Sequence, residues 1–586
     1  MIRRVIKNIM YAVREIRSVS KSVLPVMAAL AVLITLLSLG ELFIIKFIVN
    51  FALSEAFSTG KLTFYLIAYF CAAAAVNVLQ NISIGGYLDR LEVKLKSDTM
   101  AKIYKKASEI NLVNFDNPDF YDKLNRAMEE SNTRYFILLT QLFSLIVSIL
   151  TFAGIFTVYN DPVIICAAFI NVAVYMIYYF KENRKKYEFE KREAKYFRFD
   201  DYISRIFSSS EYAQELRISR RAKDKVLASH AEVSKNYLRN YTIYLKTFFY
   251  HSVLMTSAGY LLYWIVSIYV SGLLLNTRIS VGDFLVLINI VSTISMQIIN
   301  VLQILPDLYG SSLYIDEIRE ILDYPSDFHA GKCLKREDFH RIEFKDVDFK
   351  YFGQNRFALH NVSFTIEKNQ LVAVVGLNGS GKSTVLGCLS GLLKPDGGTI
   401  KLNNAAYDEY DTKSLRSMFG TVFQTYHIYE QSIAENILLR EIKSKEDTEK
   451  VEQALKYAGL YEKVLSLEKG IHTVISADGG CGDFSGGEKQ KIALARAYAT
   501  EAPVLIFDEP TGALDLYAAD SFYKNLFRLK IPKTVIFASH KLYYAKQADK
   551  IIYLENGTVS ETGSHEELLK LGGGYAAFYK MQAHKE

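Results

Sequence analysis

Long apolar stretches occupy the first half of the chain, and short apolar runs separated by polar segments occupy the second half. A helix needs about 20 residues to cross a bilayer. Six stretches approach or exceed that length, at residues 24–49, 62–87, 136–159, 163–180, 246–270 and 284–305. One such stretch would fit a buried core helix, but six in succession predict an all-α domain of six transmembrane helices.

The basic residues between these spans predict the orientation of the domain. Lys and Arg crowd the N-terminus and the two long connections, 89–134 and 181–246, whereas the short connections carry few. The positive-inside rule therefore predicts that both termini and both long loops lie in the cytoplasm.

Each long loop reads as helix on either side of a short break, so we expect the membrane helices to extend far into the cytoplasm. The first break is expected at 114–121, because Pro118 disfavours helix at the preceding Asn117. The second break is expected at 207–212. Both loops are therefore predicted to be long helical extensions that turn back at these points.

The pattern changes after Tyr324. Residues 325–341 are polar and mixed in charge, and they are predicted to link a membrane domain, 1–324, to a second domain, 342–586. Within the second domain, short apolar runs alternate with helical patterns, which is typical of a parallel sheet covered by helices. The clearest runs lie at 371–375, 504–507 and 534–538.

Composition narrows the possible classes of protein. Half of the 586 residues are hydrophobic, and the net charge of +6 is not concentrated into one basic face, so no nucleic-acid partner is expected. The five cysteines show no C-x-x-C spacing, which argues against a zinc site or a disulfide framework. The apolar run after the basic N-terminus is longer than a signal-peptide core and is expected to be retained.

A glycine-rich segment follows the apolar run 371–375. Residues 376–384 read GLNGSGKST, which matches the phosphate-binding loop G-x-x-x-x-G-K-[ST] in its strand–loop–helix context. Lys382 is expected to reach the β- and γ-phosphates of ATP, and Ser383 to bind Mg²⁺. The alternative is a glycine-rich turn without nucleotide. The residues expected to bind ATP here are Gly376, Asn378, Gly379, Ser380, Gly381, Lys382, Ser383 and Thr384.

Two carboxylates end the apolar run VLIF, at the sheet edge where the phosphate loop also opens. Asp508 is expected to hold Mg²⁺, and Glu509 to orient and polarise the attacking water. The alternative is that the pair only caps the next helix.

Three further residues are candidates for the same site. Gln424 is a candidate for sensing Mg²⁺ and the attacking water, and His540 follows an apolar run and is a candidate for contacting the γ-phosphate. Tyr351, upstream of the phosphate loop, is a candidate for stacking on adenine. Tyrosine is abundant in this chain, at 40 residues, so position alone gives Tyr351 little weight.

Residues 484–497 read FSGGEKQKIALARA and lie between the phosphate loop and the Asp–Glu pair. This segment resembles the signature motif of ABC ATPases, with Phe484 and Glu488 where the family more often has Leu and Gln. The resemblance assigns Tyr351 to the adenine-stacking loop, Gln424 to the Q-loop and His540 to the switch loop. The ATP contacts that it adds are Ser485, Gly486, Gly487, Glu488 and the D-loop residue Asp515.

Asp478 stands where exporters of the family carry a Glu-containing segment that touches the membrane domain. The surrounding residues match that segment imperfectly. Whether Asp478 replaces the usual glutamate is therefore left open.

Exporter half-transporters of this family carry six spans, two long cytoplasmic loops and a C-terminal ATPase domain on one chain, which is the layout predicted here. The resemblance implies a dimer in which the signature motif of one subunit completes the ATP site of the other. Alternating access across a bacterial plasma membrane would follow from closure of that dimer. Because every hydrolytic residue is present, a homodimer is expected, with a heterodimer as the alternative.

The polar and aromatic residues of the last two spans suit a peptide or another amphipathic substrate, although about half are expected to serve helix–helix contacts. They are Tyr260, Tyr263, Trp264, Asn289, Ser292, Gln297, Asn300 and Gln303. The segment 114–124 is similar to exporters of bacterial peptides such as lanthipeptides. Three alternatives are a lipid flippase or multidrug exporter, a non-pumping ABC regulator or channel, and a soluble ABC protein acting on ribosomes or DNA.

Overall fold

The computed structural model describes residues 2–54, 58–82, 88–131, 133–158, 161–475, 484–512, 516–528 and 533–583. The chain divides into two units. The first comprises Met1–Tyr104 and Leu124–Leu322, and the second comprises Lys105–Lys123 and Asp323–Glu586. The first is helical and the second is an α/β domain, which confirms the predicted fold class.

Ten helices are described up to residue 322. They are α1 (Ile2–Val19), α2 (Val23–Ala52), α3 (Thr59–Ile82), α4 (Leu88–Ala107), α5 (Pro118–Glu130), α6 (Arg134–Val158), α7 (Pro162–Ser208), α8 (Ser210–Ile218), α9 (Arg220–Leu275) and α10 (Val281–Leu322).

Five of these described helices, α2, α3, α6, α9 and α10, are long and apolar enough to cross a membrane. The apolar start of α7, Pro162–Tyr178, is shorter. The six predicted spans fall on these six helices, and residues 83–87 and 159 of the predicted spans lie outside the described part of the chain.

Helix α10 packs against α2, α6, α7 and α9. Its residues Val286, Ile290 and Ile294 recur at helical spacing and are almost fully buried. Polar contacts also join it to its neighbours. For example, the Asn171 amide donates to the Ser295 hydroxyl at 3.0 Å, and the Ser148 hydroxyl donates to the Gln297 amide oxygen at 2.7 Å.

Gln297 therefore makes a helix–helix contact. Among the other residues proposed to line a substrate cavity, Tyr260 and Trp264 have exposed side chains.

Helices α7 and α9 form a long antiparallel pair, which confirms the predicted long helical extensions. The Glu182 carboxylate lies 3.0 Å from the His251 ring, and the Asn240 amide donates to Glu193 at 3.0 Å. Aromatic rings also stack across the pair. The distance between ring centres is 4.9 Å for Phe189 and Tyr244, and 4.1 Å for Tyr196 and Tyr237. The polar contacts and the ring stacks along both helices together fix their register.

Both predicted breaks occur where expected. A 3₁₀ turn at Leu112–Asp116 is followed by an extended Asn117, and α5 begins at Pro118, as proline sterics require. Helix α7 ends at Ser208, and α8 begins at Ser210 after one extended residue.

The α/β unit contains two sheets. The strands are β1 (Arg341–Phe349), β2 (Leu359–Glu367), β3 (Leu371–Gly376), β4 (Gly397–Leu402), β5 (Ala405–Ala406), β6 (Phe419–Val422), β7 (Val504–Asp508), β8 (Thr534–Ser539), β9 (Lys550–Glu555) and β10 (Thr558–Gly563). The smaller sheet is antiparallel, in the order β2-β1-β4-β5. The larger has the order β10-β9-β3-β8-β7-β6, and all its pairs except β10·β9 are parallel.

The larger sheet is covered on both faces. Alternate residues of β3 enter two hydrophobic clusters, Ala373 and Val375 in one, Val372 and Val374 in the other, all fully buried. The helices of this unit are α11 (Lys382–Leu389), α12 (Thr412–Arg416), α13 (Ile433–Leu438), α14 (Lys445–Ala458), α15 (Tyr461–Leu465), α16 (Gly486–Ala499), α17 (Leu516–Arg528), α18 (Leu542–Ala545), α19 (His565–Leu571) and α20 (Gly574–Ala583). Because β3, β6, β7 and β8 are parallel, their carboxyl ends, and the residues that follow them, share one edge.

Candidate functional site

The predicted phosphate loop joins β3 to α11. Gly381 precedes α11 with φ of 100°, a backbone conformation that residues with a side chain rarely adopt. A Cβ atom at this position would also lie only 2.9 Å from the Ala358 carbonyl oxygen, so the position requires glycine. The buried Lys382 ammonium donates to the Gly376 and Leu377 carbonyls at 3.1 and 3.0 Å. Burial lowers the pKa of Lys382, and the carboxylates Asp508 and Glu509 oppose that shift.

Asp508 ends the fully buried strand β7 and is itself 3% exposed. Burial raises its pKa, although a hydrogen bond from Ser383 opposes the shift. Among the described residues, its Oδ1 atom is buried without a hydrogen-bond partner. A buried carboxylate oxygen beside a hydroxyl supplies the oxygen ligands that Mg²⁺ prefers, so the residues present fit this ion.

Glu509, Gln424 and His540 meet beside Asp508. The Gln424 amide donates to Glu509 at 3.4 Å, and the His540 ring lies 3.4 Å from the other carboxylate oxygen of Glu509. The structure thus brings the three predicted catalytic residues together from the ends of three neighbouring strands. Glu509 has φ of 45°, a left-handed conformation that costs about 1–2 kcal/mol for a residue with a side chain.

A side chain of helix α20 hydrogen-bonds to backbone groups of the turn that carries His540. The Gln582 amide nitrogen donates to the His540 carbonyl at 2.6 Å, and its amide oxygen accepts from the Leu542 N–H at 2.9 Å. One side chain therefore satisfies polar groups on both sides of the turn that carries His540.

Tyr351 lies after β1, where its ring contacts Phe349 and its hydroxyl pairs with the Thr384 hydroxyl at 3.1 Å. This contact places the predicted adenine-stacking residue beside the phosphate-loop helix. Its stacking on adenine stays a prediction.

The signature residues form the start of α16. Ser485 caps the helix, and the Glu488 carboxylate accepts a hydrogen bond from the Ser485 N–H at 2.8 Å, so the two residues form a capping box. The Tyr426 hydroxyl donates to the Gly486 carbonyl at 2.7 Å. Ser485 and Gly486 are exposed, so this end of the helix faces solvent.

Lys463 contacts both residues at which the signature departs from the common family pattern. Its ammonium lies 2.6 Å from the Glu488 carboxylate and 5.0 Å from the centre of the buried Phe484 ring. Burial raises the pKa of Glu488, but hydrogen bonds from Lys463 and Ser485 outweigh it and hold that pKa below its ordinary value.

Sequence reasoning missed Lys463, Tyr426 and Gln582, because each reaches the site from a distant part of the chain. Two predicted residues, Asp478 and the D-loop Asp515, lie outside the described residues.

These features define the class of the second unit: an ATP-binding domain with a phosphate loop, an Asp–Glu strand end and an ABC-type signature helix. Residues 359–512 match the family model described as "ABC transporter".

Curated relatives extend this match. The chain is 29% identical over 474 residues to the subtilin transport ATP-binding protein SpaT of Bacillus subtilis, which covers 80% of this chain and 77% of that one. It is 37% identical over 241 residues to the ATP-dependent lipid A-core flippase of Vibrio vulnificus, covering 41% of each. The match thus spans about two fifths of the flippase.

A solved structure of a bacterial Atm1-family ABC exporter with ATP bound has the same fold, with a TM-score of 0.80 over 97% of this chain and 98% of that one, at 20% identity. Residues 359–512 thus form a domain of the ABC transporter family, and the chain as a whole is similar to exporter half-transporters. It is an ATP hydrolase coupled to transport, with apolar helices suited to a membrane.

Lys463→Met is expected to lower the rate of ATP hydrolysis several-fold. The substitution leaves the Glu488 carboxylate without its cation and removes the ammonium that lies beside the Phe484 ring. A partly exposed ion pair contributes up to about 1 kcal/mol, which corresponds to roughly fivefold in rate. The double variant Lys463→Met/Glu488→Gln should recover most of the loss, since no carboxylate is then left unpaired. Phosphate release by the three proteins measures this, and a double variant slower than the single one contradicts the pairing.

Proposed function

We propose that this protein exports a peptide or similar amphipathic substrate across the bacterial plasma membrane. One observation carries the proposal. The 474-residue alignment with the subtilin transport protein is longer than the whole part from Asp323 to the C-terminus, so it must include much of the helical unit. The helical unit is where a substrate crosses, and the flippase alignment of 241 residues is only about the size of the ATPase domain.

The hydrolytic step follows from the positions of the site residues. Lys382 now binds loop carbonyls, and it would exchange them for phosphate oxygens when ATP enters. Glu509 then accepts a hydrogen bond from the attacking water and polarises it, while Gln424 and His540 hold the carboxylate from either side.

Asp508 and Ser383 would hold Mg²⁺, with Gln424 nearby. The ion would neutralise charge that develops on the phosphate oxygens. The unpaired, buried Oδ1 atom of Asp508 supports this assignment.

A dimer of two identical chains completes the proposed site. The exposed start of α16, with Ser485 and Gly486, would contact the γ-phosphate of ATP bound to the partner subunit. Hydrolysis removes that contact, so the two ATPase domains would separate after each turnover.

The first long loop gives a physical route from ATP to transport, because residues 105–123 belong to the same unit as the ATPase domain. The Asn111 amide donates to Asp327 at 3.1 Å, and the Tyr324 hydroxyl donates to Asn114 at 3.0 Å. Val113 also packs against the hydrophobic core of the ATPase domain itself. Movement of the ATPase domain would therefore carry this loop with it.

The proposed topology places both termini in the cytoplasm. The α1 helix carries Arg3, Arg4, Lys7, Arg14 and Arg17 immediately before the first span, which supports a cytoplasmic N-terminus. An even number of spans then returns the chain to the same side.

Mass spectrometry of the growth medium tests the substrate. Cells carrying the wild-type chain are compared with cells carrying Glu509→Gln, which keeps the protein in the membrane without turnover. A specific peptide released only with the wild type, and retained inside the variant cells, supports peptide export. An unchanged peptide profile in both cultures refutes it for that host.

A lipid flippase is the second candidate, favoured by the higher identity, 37%, of the flippase match over its 241 residues. Purified protein in vesicles with labelled lipid distinguishes the two. Lipid movement that depends on Glu509, without peptide transport, would replace the peptide proposal.

A further inference from the structure

Gln582, on helix α20, bridges the two peptide groups that follow His540. Its amide nitrogen donates to the His540 carbonyl at 2.6 Å, and its amide oxygen accepts from the Leu542 N–H at 2.9 Å. The nitrogen and the oxygen belong to one planar amide. The two hydrogen bonds therefore fix two points of this backbone relative to each other and to α20.

The turn that carries His540 is short. It leaves strand β8 at the buried Ser539 and enters α18 at the fully buried Leu542. Within it, the Lys541 N–H donates to the Ser539 hydroxyl at 3.0 Å. That internal bond shapes the turn, whereas Gln582 attaches the turn to a separate helix.

Helix α20 is itself held firmly in the domain. Tyr575 is fully buried and Phe578 is 9% exposed, and both belong to the hydrophobic cluster that also contains Phe537 of β8 and Leu542. Gln582 follows Phe578 by four residues, so the two lie on the same face of the helix. The face of α20 that packs into the core thus also presents Gln582 to the turn.

The His540 ring depends on this backbone for its position. The His540 side chain is 48% exposed, and its ring lies 3.4 Å from the Glu509 carboxylate, which is long for a hydrogen bond. Because the allowed rotamers of a side chain depend on its backbone angles, the orientation of the His540 peptide group limits where the ring can reach. Gln582 fixes that orientation through the His540 carbonyl.

We propose that Gln582 is a positioning residue for ATP hydrolysis, which holds the turn after β8 so that the His540 ring faces Glu509. Gln582 acts through the backbone and does not touch the reacting atoms. This role rests on the hydrolytic role proposed for His540 and is independent of the transported substrate. A displacement of about 1 Å at a catalytic group can lower a rate by about 10²-fold, so a turn released from α20 would hydrolyse ATP more slowly.

Gln582→Met tests the proposal, because Met has nearly the length of Gln and lacks both the amide donor and the amide acceptor. We expect kcat to fall about tenfold, with KM for ATP changed less than about twofold, since the phosphate-loop residues are untouched. Gln547→Met is the matched control. It makes the same chemical change at an exposed position two residues after α18, and its kcat should match the wild type.

Rates are normalised to nucleotide-binding sites, so that a smaller folded fraction does not imitate a catalytic loss. His540→Ala and Gln582→Met/His540→Ala complete a double-mutant cycle. If Gln582 acts through His540, the double variant is no slower than His540→Ala alone. Three results would overturn the proposal: a kcat of Gln582→Met within twofold of wild type, an equal loss in Gln547→Met, or additive losses in the cycle. A wild-type kcat for His540→Ala would refute the hydrolytic role of His540 itself, and the positioning role with it.

Discussion

Glu509→Gln is expected to lower ATP hydrolysis by about 10²–10⁴-fold while ATP binding persists. Gln has the size of Glu and can keep the contacts with Gln424 and His540, but it cannot accept a proton from water. The residue adopts a left-handed backbone conformation at the end of a fully buried strand, and this substitution leaves that backbone unchanged.

Phosphate release and retention of labelled ATP, measured on the same protein, separate turnover from binding. Glu468→Gln, at an exposed position after α15, is the control for the chemical change alone and should behave as the wild type. Turnover above about a tenth of the wild-type rate would show that another group activates the water.

Asp508→Asn is expected to abolish Mg²⁺-dependent hydrolysis without destabilising the nucleotide-free protein. Burial raises the pKa of Asp508, so its charged form is disfavoured in the folded state. An acid with a raised folded-state pKa binds more protons folded than unfolded. The free energy of unfolding therefore falls as pH rises from the unfolded to the folded pKa, and the penalty persists at neutral pH.

Replacing Asp508 with Asn removes the cost of burying a charged carboxylate, and it also removes the proposed ligand of Mg²⁺. At pH 7 the nucleotide-free variant should melt at the same temperature as the wild type or higher, whereas the stabilisation of the wild type by ATP with Mg²⁺ should be lost. Thermal melts with ATP, with and without Mg²⁺, measure both effects. A variant that melts lower without nucleotide, yet keeps the Mg²⁺-dependent shift, would contradict the assignment of Asp508 as a metal ligand.

Much of this site could be predicted because its parts are local. The phosphate loop needs glycines at fixed spacing between a strand and a helix, and a parallel strand that ends in Asp508 and Glu509 must deliver them to the same edge. Gln424 and His540 could be placed for the same reason, since each follows a strand of that sheet.

What sequence reasoning could not reach depends on contacts between distant segments. Nothing in the spacing of Lys463 indicates that its ammonium lies beside the Phe484 ring. The left-handed conformation of Glu509 also has no sequence signal, because it usually belongs to Gly or Asn. The helical arms were predictable from length, but their register depends on ring stacks and polar contacts between residues far apart in the sequence.

The compact body that contains the ATPase domain is made from two separate stretches of the chain, because residues 105–123 pack with the part from Asp323 onward. This has a consequence for how such proteins exchange parts during evolution. Recombination at the linker would bring in a foreign ATPase domain and leave behind Val113, which packs against the hydrophobic core of that domain. The unit that must be exchanged therefore includes the tip of the first loop. Recombination that preserves function must transfer residues 105–123 together with the ATPase domain, or be followed by substitutions that restore the contacts between them.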